Sequence, residues 1–266
     1  MDEPIVISYC NSEINNTHPG TQLFINTLIN NDWKYHIIGR GEKWNGYISK
    51  LKGYYNFLLT LDPKQIVVIS DARDVYCVKR PKNFIKDFKR FNKKIVVSME
   101  LFAQGQFDYY HNKDYWQVTW IEKYWQMYNI DTSKIYRKYV NSGLISGYVE
   151  ELIKFFKWAL DSKYTDDQKA LGAYVNTFPE LVYADINAEL LHTTGAFITG
   201  ATYDITIQSM DSPTFSELAG LTTYFLHIPG TNLRGQKILY ESVNSTLVFL
   251  HSKKLPEAYP EFKEKY

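Results

Sequence analysis

Two aspartates three residues apart, Asp71 and Asp74, follow closely on the apolar run Ile66-Val67-Val68-Ile69. A run without polar alternation reads as a strand buried on both faces of a parallel sheet. In open α/β sheets ligands bind beyond the carboxyl ends of the strands, where this pair falls. Carboxylate oxygens suit a hard divalent cation such as Mg²⁺ or Mn²⁺, and metal-bound carboxylates after a buried strand suggest phosphate chemistry. The competing reading makes Asp71 a turn cap and pairs Asp74 with Arg73 or Arg80.

Four further groups carry chemistry by type and place. Asp166 and Asp167 precede a helical stretch, where acids ordinarily cap; they suit catalysis if that helix end faces the metal site. His227 ends the apolar stretch 223–228, either as a structural residue or reaching the central site. Glycines in the segment 39–46 are a weak sign of phosphate approach. Asn141-Ser142-Gly143 offers small residues beside which a ligand can come close.

The elements that must position these residues follow from periodicity. Strands are expected over 5–9, 35–38 and 66–69. Between them lie a helix striped by Leu23, Phe24, Leu28 and Ile29 and a helix over 48–61. This β-α-β-α-β order predicts right-handed crossovers and a Rossmann-like half. A helix over 81–91 and a strand over 95–98, running to Glu100, come next. The aromatic-rich segment 101–137, with a helix over 113–128, is either a wall of an acceptor cleft or a packed surface helix. A short apolar segment over 139–147 precedes helices over 150–160 and 167–176. Short strands are expected over 181–183, 203–207 and 223–228, then a basic tail over 253–266. Neither repeat nor linker appears, so 1–266 reads as a single domain.

At 266 residues the chain can bury a sizeable core. Thirty basic against 29 acidic side chains argue against a broad nucleic-acid footprint. The 22 Tyr and 6 Trp suit a carbohydrate or nucleotide cleft, or simply fill core and surface. Cys10 and Cys77 have neither metal-ligand spacing nor a disulfide framework. The chain enters a strand directly after Met1-Asp2-Glu3-Pro4, without a signal peptide or a membrane-spanning run, so a cytoplasmic location (host cytoplasm for a viral protein) is the default expectation. The sequons at Asn15 and Asn244 then carry little weight.

Six of these stretches, in order, resemble the glycosyltransferase domain of the procollagen lysyl hydroxylases. GEKWNG resembles the family's GEEW-R-G, ISDARDV its V-D-x-x-D-V, and VSMELF its S-A-E-S-F. YVNSGLISGY resembles F-L-N-S-G-G-F-I-G-F, TDDQ the end of a poly-Asp run, and FLHIPG the V-H-G-N-G. The likeness spans about residues 5–250. It implies a GT-A-type, Rossmann-like α/β fold with a mostly parallel central sheet and flanking helices, using a UDP-sugar and Mn²⁺. The hydroxylase domain is absent, so the chain resembles a stand-alone transferase, a kind known in giant viruses as well as animals.

The resemblance implies Asp71, Asp74 and His227 as Mn²⁺ ligands. It puts Tyr9, Cys10 and Asn11 at the uridine with Trp44 stacking on or flanking the base, and gives the nucleotide-contacting lysine to Lys50 or Lys52. Ala72 and Arg73 fall in the same nucleotide loop, Asn141 and Gln168 near the donor sugar, and Asp166 and Asp167 at the catalytic acids. There are departures. Arg73 replaces an aromatic residue, Gln104 replaces a tryptophan, and the poly-Asp run is cut to two. The phosphate-binding G-P-T-K is disrupted, leaving Gly230 with Arg234 or Lys237.

The implied activity is transfer of glucose from UDP-glucose to galactosyl-hydroxylysine of collagen-like chains, with retention. The alternatives are inverting transfer from UDP-galactose to hydroxylysine and a non-catalytic sugar-nucleotide or collagen-binding module. A haloacid-dehalogenase-type phosphatase needs aspartates separated by one residue, and here two intervene.

Overall fold

The computed structural model describes residues 3–12, 18–100, 119–135, 137–193 and 223–227. The first half alternates as expected: β1 (Ile5–Tyr9), α1 (Pro19–Asn30), β2 (Lys34–Ile38), α2 (Tyr47–Leu58) and β3 (Ile66–Ser70). Then come β4 (Val75–Cys77), a 3-10 turn with α3 (Phe84–Lys89), β5 (Ile95–Glu100) and α4 (Glu122–Met127). The rest is β6 (Tyr139–Tyr148), α5 (Val149–Asp161), α6 (Asp167–Thr177), β7 (Val182–Asp185), β8 (Leu191–Thr193) and β9 (Phe225–His227). The nine strands among the described residues share one sheet, ordered β2-β1-β3-β6-β5-β8-β9-β4, with β7 also on β5. It is an α/β, Rossmann-like arrangement. Parallel pairings dominate, joined by antiparallel β3–β6, β5–β6 and β4–β9.

Alternation along the central strands explains the layering, because successive side chains leave opposite faces. Ile7, Val67, Ile69 and Val97 meet α2, α5 and α6 through Leu51, Tyr54, Phe155 and Leu171. Val6, Ile66, Val68 and Val96 meet α1 and α3 through Phe24, Leu28, Phe84 and Phe88. The sheet is covered on both sides, as its continuous apolar runs require.

The structure differs from expectation in several places. The 139–147 segment is a ten-residue strand running antiparallel between β3 and β5. The helix expected over 48–61 ends at Leu58, and the one over 81–91 begins as a 3-10 turn after Arg80. Strands β4 and β8, three residues each, were not expected. Of the helix over 113–128, Glu122–Met127 is present and 113–118 lie outside the described residues. Also outside them are Gly230, Arg234, Lys237, Gln104, both sequons, the strand over 203–207 and the basic tail. No described helix is long and apolar enough to cross a membrane.

Candidate active site

The turn after β3 is anchored before it does anything else. The Ser70 carbonyl accepts from Ser8 Oγ at 2.7 Å and Tyr54 Oη at 2.9 Å. Asp71 then extends the ladder, its N–H donating to the Gly143 carbonyl at 2.9 Å. On the other side α1 packs so closely that a Cβ on Gly20 would lie 2.2 Å from the Arg73 oxygen. Glycine is therefore required there for steric reasons.

Onto this turn β9 delivers His227, which is 2% exposed. Its Nε2 lies 3.5 Å from Asp74 Oδ1 and 3.8 Å from Asp71 Oδ2. One ligand atom from each of the three residues falls within 4.8 Å of the others, a spacing one cation can span. The ring occupies the space above Gly143, where a Cβ would meet His227 Cε1 at 2.1 Å.

The tautomer of His227 follows from its neighbours. Asn141 Oδ1 accepts from the Gly143 N–H at 2.8 Å, so it faces His227 Nδ1 at 2.9 Å as an acceptor. Nδ1 must then carry a proton, which leaves Nε2, the ring nitrogen facing the carboxylates, as the atom that can ligate a cation. Such an outer contact is how ligating histidines are oriented. Two hard oxygen donors and an imidazole nitrogen form a donor set that fits Mn²⁺.

Behind Asn141 lies a buried polar group. The Asn141 amide donates to Glu100 Oε2 at 3.1 Å and to Gln168 Oε1 at 3.3 Å, and Gln168 Nε2 donates to Glu100 Oε1 at 2.9 Å. Burial pushes the Glu100 carboxyl up to about 8, although both amides pull the other way. Asn141 and Gln168, expected near the donor sugar, are thus joined through a carboxyl the sequence reading placed only at a strand end.

Lys50 is the buried cation of the site. Its ammonium donates to Asp71 Oδ1 and, at 2.6 Å, to Asp167 Oδ2, across α2, β3 and α6. Burial depresses this ammonium, but the Asp167 and Asp71 carboxylates outweigh that and raise it well above the ordinary lysine range. Lys52, the other candidate, is exposed. Asp166 and Asp167 separate in the same way. Asp166 caps α6, accepting from the Lys169 N–H at 2.9 Å, whereas Asp167 is buried against Lys50.

A cavity of about 380 Å³ opens beside the carboxylates. Tyr9, Cys10, Asn11, Trp44, Lys50, Asp71, Ala72, Arg73 and Asp74, all among the candidate site residues, line it together with Tyr47, which was not a candidate. Trp44 and Tyr47 are 43% and 42% exposed, and the Trp44 ring lies 6.1 Å from Tyr9 and 5.8 Å from Tyr47. Tyr9 is held by a 3.0 Å bond to Glu42 Oε2. Half-exposed aromatic faces over a carboxylate floor suit a planar base joined to a charged, metal-bound group. Tyr47 was legible only as the residue before a helical stripe, three places from Trp44.

No family model matches the chain, and neither does any curated protein sequence. Among solved structures it is similar to the crystal structure of a glycosyltransferase involved in the glycosylation of the major capsid of PBCV-1. The identity is 10%, the match covers 89% of this chain and 99% of that one, and the TM-score is 0.46.

Proposed function

We propose that the chain is a GT-A-type, Mn²⁺-dependent glycosyltransferase that moves glucose from UDP-glucose to galactosyl-hydroxylysine of collagen-like chains. The observation that carries the reading is the convergence of Asp71, Asp74 and His227 beside an aromatic-walled cavity that the two carboxylates help to line. The donor and acceptor identities come from the family resemblance. In this reading the three residues hold the metal, with Trp44 and Tyr9 against the uracil. A cation bound there supplies positive charge against the diphosphate as UDP departs.

The chain's own residues position and screen. Asn141 fixes the imidazole, and the Ser70 carbonyl contacts hold the start of the carboxylate turn. Asp167, paired with Lys50, orients the acceptor hydroxyl or steadies positive character at the anomeric carbon, and Asp166 serves the helix. A glucosyl unit joined α to galactose retains the donor configuration, so no strong base is required opposite the leaving group.

The test is UDP release from UDP-glucose with and without galactosyl-hydroxylysine peptide, beside UDP-galactose with hydroxylysine peptide. Peptide-dependent release from UDP-glucose alone is the expected result. Release only in the second arm makes the chain a galactosyltransferase. Tight UDP binding with no release in either arm makes it a binding module for these substrates.

A further inference from the structure

The three residues that converge on one cation-sized point are not the whole charge cluster. Asp71 divides its oxygens, Oδ2 facing His227 Nε2 at 3.8 Å and Oδ1 accepting from Lys50 Nζ. The same ammonium reaches Asp167 Oδ2 at 2.6 Å, and the side chains of Lys50 and Asp167 are 10% and 9% exposed. Behind the pair the wall is apolar, with Leu51, Ile69, Ile145 and Phe156 lining the gap between helix and sheet. Charges in so poorly solvated a place feel one another strongly.

We infer that Lys50 is a built-in counter-cation that couples the divalent-cation site to Asp167. It limits Asp71 to one oxygen for the metal and opposes the metal's charge, so it lowers cation affinity. It also holds Asp167 in place, and Asp167 in turn draws part of the ammonium's charge away from Asp71. Lys50 is in this sense a positioning residue, a role separate from the nucleotide contact the family resemblance implies. The inference rests on the metal-site reading proposed above.

The coupling has a sign that a merely structural lysine lacks. Lys50→Met keeps the stem and removes the charge, freeing both Asp71 oxygens, so Mn²⁺ should bind about ten-fold more tightly. Lys50→Arg keeps the charge and should stay within about three-fold of wild type. Asp167→Asn leaves the ammonium to Asp71 alone, so Mn²⁺ should bind several-fold more weakly. In the Lys50→Met background, Asp167→Asn should change affinity by less than about two-fold.

The experiment titrates the full chain with Mn²⁺ alone, without sugar nucleotide, and reads free Mn²⁺ by its electron-spin signal beside the thermal midpoint of each variant. Unchanged or weaker Mn²⁺ binding in a folded Lys50→Met chain overturns the inference. If Lys50→Met does not fold, wild-type affinity in Asp167→Asn overturns it instead. Loss of binding in Asp71→Ala alongside either result leaves the metal site standing and removes only the counter-cation role. A wild-type chain that binds no Mn²⁺ overturns both.

Discussion

Asp166 and Asp167 are neighbours with different work. Asp166 accepts from the Lys169 N–H, as a capping residue does, and Asn caps about as well as Asp. Asp166→Asn should therefore leave turnover within about two-fold of wild type. Asp167→Asn removes the charge that faces Lys50, and transfer should fall by about 10²-fold or more while UDP affinity stays nearly level. Turnover and UDP affinity for both variants decide the matter, and two near-normal rates would return the pair to capping. Trp44→Ala strips an exposed ring from the cavity wall and should weaken UDP by about five-fold to a hundred-fold, read by titration. Glu100 makes a prediction about stability. Its carboxyl sits at about 8 in the fold against an ordinary 4.5, so the folded chain keeps a proton that the unfolded chain gives up between those values. The stabilisation is complete below pH 4.5 and is lost as pH rises toward 8. Glu100→Gln should flatten that decline, and parallel urea midpoints for both chains from pH 5 to 8 would refute it.

At the scale of elements, β6 carries most of the consequence. It runs antiparallel between β3 and β5, and its Gly143 both receives the Asp71 N–H and leaves room for the His227 ring. Gly143→Ala should cost the site its imidazole geometry, weakening cation binding more than it lowers the thermal midpoint; wild-type Mn²⁺ affinity would contradict this. How much of this was legible varies by element, for physical reasons. The β3 strand and its two aspartates showed plainly, because a doubly covered strand must be apolar throughout. The direction of β6 did not show, since side-chain period is the same whichever way a strand runs. Strands β4 and β8 are too short for any period to appear. The resemblance left the nucleotide-contacting lysine open between Lys50 and Lys52, and the fold buries the first and exposes the second, a difference that helical period alone did not mark. The Glu100 group was hidden because its partners come from β6 and α6, and nothing local marks a long-range amide contact.

At the scale of the molecule, the site joins the two apolar layers at the carboxyl end of β3, where one layer stands on α2 and α6 and the other on α1. Only β9, held between β8 and β4, brings in the imidazole. That placement has a consequence in time. During synthesis Asp71 and Asp74 emerge long before His227, and a three-residue strand closing against such distant partners is a late, entropically costly event. Cation binding then reports completed assembly. In refolding, Mn²⁺ uptake should lag behind recovery of the helical far-ultraviolet signal, and simultaneous recovery would argue against this order. A chain halted before β9 can present two carboxylates to a cation, but without the imidazole that completes the described triad.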